Sequence, residues 1–389
     1  MAVEIKIPPI LQIGGGSFST VAALLLRLHC RRPLIVTDPF LMKSQLAEKL
    51  ATQICDAGMS CEIFHETVAD PTTTVVEAGV SAFKRGAHDS LVSLGGGSPI
   101  DTAKAIGMLS ANKGKVRDYR APQSILLPGP THVAIPTTAG TGSEVTRFTV
   151  ITDSESGEKM LLAGDHLQPS AAVVDYELTL TMPVRLTADT GTDSLTHAIE
   201  AFVSRKRNPF TDTLALSAMK TIWRELPISF REPGNLQARE AMMLAATLAG
   251  IAFSNASVAL VHGMSRPLGA HFHIPHGLSN AMLLPVVTAF SVQSAIDRYA
   301  ECARAMGVAQ AHEGDEVAVN QLIGALYRRN KELGVPSPKE WGVPEEQYFA
   351  LLGTMATQAL ASGSPANNPR LATATEIEQL YRQAWQLHQ

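Results

Sequence analysis

Asp193 and His197 stand four residues apart, and two further histidines, His262 and His276, follow in "VHGMSRPLGAHFHIPHG". On a helix, positions i and i+4 share a face, so the first pair can hold one metal ion together. Imidazole and carboxylate suit a borderline divalent cation such as Fe(II), Zn(II), Co(II) or Ni(II). Three nitrogens and one oxygen leave a coordination position for a substrate oxygen, which marks a catalytic site and not a structural one. For the pair alone, the bland alternative is a helix-capping aspartate beside a satisfied core histidine. The two later histidines, each next to a glycine in an apolar stretch, favour the metal.

A second segment with chemical capacity is "LVSLGGGSPIDTAKAIG", which reads as strand, glycine turn, helix. Gly95, Gly96 and Gly97 let backbone approach a ligand closely, and Ser98 is expected to cap a helix that Pro99 begins. Free N–H groups at a helix N-terminus would then face a pyrophosphate. The pattern is not G-x-G-x-x-G, and it follows the third expected strand, not the first. Asp38 ends the first of them, "LIVTD", where its carboxylate could bind adenosine ribose hydroxyls and repel a 2′-phosphate. A plain helix start and an exposed turn acid explain these residues equally well. A second loop, "PTTAGTGSEVT" (136–146), also follows a strand, and two such loops describe a ligand crevice in a doubly wound sheet. The "GGGSF" stretch beginning at Gly14 reads either as another such loop or as a turn into the first helix.

The elements that must position these residues are legible in outline. "RPLIVTD" (32–38), "CEIFHETVAD", "DSLVSLGGG" and "THVAIPTT" read as strands, with amphipathic helices between them. Strands alternating with helices of 10–15 residues mean βαβ units and a parallel sheet. "FTVITDSESGEKMLLAG" reads as an inserted hairpin turning at "DSESG". "AAVVDYELTLTMP" supplies a last strand, and Pro183 is suited to open a helix. Beyond it the pattern is helical almost throughout. The expected architecture is an α/β Rossmann-like nucleotide-binding domain over 1–180 and an all-α helical domain over 181–389.

Composition excludes several classes. The 389 residues suggest two domains, and 45% hydrophobic with 17% charged residues describes a well-buried globule. A net charge of −4, with no basic run, gives no case for nucleic acid. Cys30, Cys55, Cys61 and Cys302 lack metal-finger or disulfide-scaffold spacing, and the first residues lack a secretory pattern, so a cytoplasmic protein is expected. Residues 241–261 are apolar for long enough to span a bilayer, but their small residues and the run into His262 read as a buried core helix, with no membrane partner.

Taken together, "GGGSPIDTAKAI", "IPTTAGTGSEVT", "DTGTDSLTHAIEAF", "VHGMSRPLGAHFHIPHGLSNAMLLP" and "NNPR" resemble the iron-dependent (group III) alcohol dehydrogenases of the dehydroquinate synthase-like superfamily. The likeness covers nearly the whole chain. It implies a dehydroquinate synthase-like fold with metal between the two domains, Fe2+ or Zn2+ held by Asp193, His197, His262 and His276. It implies NAD held by Asp38, Gly95, Gly96, Gly97, Ser98, Asp101, Thr137, Thr138 and Ser143, with Lys159 a looser match. It also implies a homodimer or larger homo-oligomer acting on a small alcohol or aldehyde by reversible hydride transfer.

One position departs from that pattern. Many members carry a proton-relaying histidine four residues after the third metal ligand, where this chain has Arg266. Arginine stays protonated and cannot relay protons at neutral pH. His271 and His273 could compensate, or they simply line the site as polar residues. Arg266 itself needs an anion, either a protein carboxylate such as Glu200 or an anionic group on the substrate. Three other functions are compatible with the fold: a hydroxyacid–oxoacid transhydrogenase with retained nucleotide, a dehydroquinate synthase-like lyase, and a non-enzymatic metal-binding scaffold. The lyase needs more lysine and arginine than these segments hold, and a scaffold needs no open metal site.

Overall fold

A computed structural model describes residues 2–386. The chain divides into two compact units, Glu4–Thr181 and a second that begins at Met182. The first is built on a six-stranded sheet in the order β1-β8-β5-β4-β2-β3, every neighbouring pair parallel. Its strands are β1 (Ile10–Ile13), β2 (Pro33–Val36), β3 (Glu62–Phe64), β4 (Ser90–Gly95), β5 (Thr131–Pro136) and β8 (Ala171–Val174). An antiparallel hairpin, β6 (Phe148–Thr152) with β7 (Lys159–Ala163), is inserted between β5 and β8.

Strands β2, β4 and β8 are buried at every position, as strands covered on both faces must be. Alternation sorts their side chains between two cores. Leu34 and Val36 pack with residues of α4 (Thr73–Arg85) and α5 (Gly97–Ala111). Ile35, between them, packs with α1 (Val21–Arg27) and α3 (Leu46–Asp56). Strand β1 was not expected from the sequence; it is a short, half-exposed edge strand paired with β8.

The second unit is helical, from α6 (Val184–Val203) through α7 (Pro209–Arg231), α8 (Leu236–Ala256), α9 (Leu260–Phe272) and α10 (His276–Ser291) to a last helix ending at Trp385. Helix α6 is buried from Thr187 to Val203 and packs against α7, α8 and α10. Small residues allow that approach. A Cβ on Gly191 would meet Leu226 Cδ1 at 2.4 Å, and one on Gly277 would meet the Asp189 carbonyl oxygen at 2.5 Å. The apolar run 241–261 is broken at Ser257, whose φ of 66° ends α8, and α9 leaves at 104°. No single helix among the described residues is long and apolar enough to cross a membrane.

Candidate active site

The second unit gathers three histidines around one carboxylate. Asp193, on the buried face of α6, is 2% exposed. Its Oδ1 lies 3.4 Å from His262 Nε2 on α9, 3.8 Å from His197 Nε2 one turn along α6, and 3.9 Å from His276 Nε2 at the start of α10. Ligand atoms of Asp193, His262 and His276 all lie within 4.8 Å of one another. Gly277 brings His276 there, because only a residue without a side chain lets the first turn of α10 touch the α6 backbone at Asp189.

Two residues unforeseen as members of this site complete it. Glu200 follows Asp193 by seven positions, on the same face of α6. Its Oε2 accepts from His262 Nδ1 at 2.6 Å and from the Ala259 N–H at 2.9 Å, and Oε1 accepts from the Val261 N–H at 2.6 Å. One carboxylate therefore satisfies the otherwise uncapped start of α9 and fixes the histidine proton on Nδ1, leaving Nε2 toward Asp193. Asn280, one turn after His276, donates from Nδ2 to Asp193 Oδ1 at 2.6 Å. The same nitrogen is 3.2 Å from both His262 Nε2 and His276 Nε2, so three inward-facing donor atoms meet at one point.

Electrostatics prepare this point for a cation. Burial alone would push the Asp193 carboxyl up, yet the imidazoles of His197, His276 and His262 hold it well below the usual carboxylate range. Burial disfavours a charged His262, but Glu200 and Asp193 outweigh it and raise its pKa to about 9. A field that retains a proton on a buried imidazole is one that would also retain a divalent metal, and the mixed N/O donor set fits Fe(II) or Zn(II).

The expected relay histidines lie apart from this cluster in their bonding. His271 hydrogen-bonds Gln358 Oε1 at 2.8 Å, and exposed His273 ends α9 in a left-handed conformation at φ 53°. Arg266, on α9, does not pair with Glu200, whose oxygens are already engaged by His262 and two backbone N–H groups.

In the first unit, the glycine turn follows β4, but the helix starts earlier than expected. Gly96 is the N-cap and Gly97 the first helical residue, so Ser98 and Pro99 lie inside the first turn. Three residues without Cβ allow the chain to enter helical dihedrals before the proline. Side chains there would collide with neighbours: a Cβ on Gly95 (φ 152°) meets Pro99 at 2.4 Å, and one on Gly97 meets Thr141 at 3.1 Å. Thr138 lies close against Gly96, and its buried hydroxyl has no hydrogen-bond partner. An open backbone turn beside an orphaned hydroxyl is a fitting cradle for phosphate oxygens.

The remaining candidates divide into two groups. Thr137 donates its N–H to the Gly95 carbonyl and so fixes the two loops side by side. Asp101 is half-buried, with Oδ1 accepting from Ser143 Oγ at 2.5 Å and Oδ2 from the Val150 N–H at 2.9 Å. Lys104 Nζ, not foreseen, joins Ser143 Oγ, Thr146 Oγ1 and the Phe148 carbonyl at 3.1, 3.0 and 2.8 Å. Asp101 and Ser143 thus tie α5 to the 136–146 loop through protein contacts. Asp38 caps α2 (Pro39–Lys43) with Oδ1 accepting from the Leu41 N–H at 3.0 Å, and among the described residues its Oδ2 has no partner. Lys159 pairs with Asp70 at 2.7 Å.

Fold and site define a class, and sequence comparison agrees with it: residues 8–176 match the family described as iron-containing alcohol dehydrogenase, and 187–385 its C-terminal part. The chain belongs to the iron-containing alcohol dehydrogenase family. It is 41% identical over 379 residues to the NAD-dependent methanol dehydrogenase of Bacillus methanolicus, covering 97% of this chain and 98% of that one. It is 37% identical over 375 residues to lactaldehyde reductase of Escherichia coli K12, with 96% and 97% covered. The crystal structure of a 1,3-propanediol oxidoreductase superposes with a TM-score of 0.94 at 35% identity, covering 99% of this chain and all of that one.

Proposed function

We propose that this protein is an NAD-dependent alcohol dehydrogenase that interconverts a primary alcohol and its aldehyde. The observation that carries the reading is the convergence of Asp193, His262 and His276, with His197 Nε2 3.8 Å from the same Asp193 oxygen, in a chain of this family. Asp193, His197, His262 and His276 would hold the iron, which when bound supplies Lewis-acid stabilisation of developing alkoxide charge. The chain's own part is to keep the donors aimed. Glu200 holds the His262 proton on Nδ1, and Asn280 restrains the Asp193 carboxylate.

NAD would sit with its phosphates at Gly95–Ser98 and Thr138, while Thr137, Asp101 and Ser143 keep the two loops in register. The free Oδ2 of Asp38 would accept from the ribose hydroxyls. Lys159 would lie near the nucleotide, held by Asp70. His271 and His273 are the candidate carriers of the proton released with hydride transfer. All four cysteines are free, which suits the cytoplasm, where a homo-oligomer is expected.

The test is NADH oxidation by the iron-loaded protein over a panel of aldehydes. Aldehyde-dependent turnover supports the reading; none with any aldehyde overturns it. Two predictions follow from individual residues. Glu200→Gln should lower metal affinity about 10- to 100-fold, as loss of a carboxylate behind a ligating histidine commonly does, measured by metal titration. Asp38→Gly should narrow or reverse the preference for NAD over NADP. Charges a few ångströms apart in partial solvent interact by roughly a few kcal/mol, tenfold or more in kcat/KM. The change costs the cap only a few tenths of a kcal/mol. Equal use of both coenzymes by the unchanged protein would refute the Asp38 assignment.

A further inference from the structure

Among the described residues, Arg266 makes no hydrogen bond and no ion pair. It is exceptional in that. Every other arginine of the helical unit that is not fully exposed donates to the protein: Arg185 to the Leu333 carbonyl, Arg239 to Pro233, Arg298 to Phe202, Arg304 to Glu313, Arg329 to Trp223 and Arg370 to Phe290. Arg266 lies one turn after His262 on α9, so the two side chains share a face of that helix. It is only partly exposed, and burial draws its pKa down to about 10 against the pull of Glu200, which leaves it a full cation at neutral pH. Glu200 is the carboxylate whose field reaches it, and its oxygens already serve the Ala259 and Val261 N–H groups and His262 Nδ1.

A half-buried guanidinium with no protein partner carries a desolvation cost, and more so beside a site built for a second cation. The cost disappears when an anion arrives with the ligand. We propose that Arg266 is a substrate clamp, and that the physiological alcohol or aldehyde carries a carboxylate, sulfonate or phosphonate group. The planar guanidinium holds such a group through two parallel N–H···O bonds. Cβ atoms at i and i+4 are about 5–6 Å apart, so the anionic group and the reacting carbon are joined by a short chain of roughly one to three carbons. The inference rests on the reading of the His262 cluster as the place where the alcohol or aldehyde oxygen binds.

The experiment compares matched aldehydes with the iron-loaded protein and NADH: succinic semialdehyde against butyraldehyde, and sulfoacetaldehyde against propionaldehyde. The expected result is a tenfold or larger kcat/KM advantage for a charged member. Arg266→Ala should remove that advantage, bringing the charged-to-neutral ratio of kcat/KM to about one, and Arg266→Lys should restore part of it. A second readout is independent of turnover: 4-hydroxybutyrate should raise the melting temperature of the original protein and not of Arg266→Ala, while 1-butanol should treat both alike. Charged-to-neutral ratios near one, or ratios unchanged by Arg266→Ala, would overturn the clamp and leave the dehydrogenase reading intact. Failure to reduce these or any other aldehyde of the panel, with no stabilisation by 4-hydroxybutyrate, would overturn both.

Discussion

Alanine at any one of Asp193, His197, His262 or His276 is expected to remove most bound divalent metal and nearly all turnover. Loss of Lewis-acid stabilisation is worth several kcal/mol of transition-state energy, on the order of a thousandfold in rate or more. The four substitutions should not be equivalent in stability. Asp193 is buried among three imidazoles and receives the Asn280 amide, so Asp193→Ala also leaves buried polar groups without their acceptor. His276 has a half-exposed side chain, so His276→Ala should fold normally and report on the metal alone. Elemental analysis beside a thermal melt separates the two effects, and unchanged metal content in His262→Ala would exclude that residue as a ligand.

The second large effect is expected at Lys104. Its ammonium is buried, three protein oxygens accept from it, and it lies in the field of half-buried Asp101 and buried Glu144. Lys104→Met leaves those carboxylates without their cation, and removing one member of a buried pair typically costs about 3–5 kcal/mol. The pH dependence carries a definite sign. Burial raises the Asp101 pKa above its ordinary value, so its folded form holds a proton more tightly than the unfolded chain does. Its contribution is therefore complete at acid pH and is lost as pH rises through the folded value. Without Lys104 that value rises further, so the deficit of Lys104→Met should shrink toward acid pH. Lys104 itself has a pKa drawn down by burial from 10.5 to about 8. The unfolded chain thus binds its proton more tightly, and this group makes the original protein gain stability between those two values. Denaturant melts across pH check both arms; a deficit below about 1 kcal/mol would show that the network contributes little.

Much of the fold is legible from residue patterns alone, and the exceptions have physical causes. Buried strands β2 and β8 are continuous apolar runs, and β4 and β5 are apolar or β-branched apart from Ser90, Ser93 and His132, which is how strands covered on both faces read. Edge strand β1 is four residues long, follows two prolines and is half exposed, so it lacks both run and alternation. The start of α5 is displaced because the rule that proline opens helices yields to three glycines that can turn sooner.

The site divides in the same way. Ligating residue types at helical spacing can be read directly, because spacing and chemistry are both written in the chain. Partners that act across the fold cannot: Glu200 meets His262 from 62 residues away, and Asn280 meets Asp193 from 87. The one available clue was helical phase, since Glu200 shares the face of Asp193 and Asn280 the face of His276. Phase also left the partner of Arg266 open, and only the prior engagement of Glu200 decides against the internal ion pair.

The central claim is that the Asp193 cluster holds iron for NAD-linked alcohol chemistry. Its most direct test strips the protein of metal with a chelator and titrates Fe(II) back without oxygen, in the presence of NADH and aldehyde. NADH oxidation should be absent at the start, rise linearly and level off at a single equivalent of iron per chain, with no such recovery in His262→Ala. Turnover that survives chelation, or recovers equally in His262→Ala, would contradict the account.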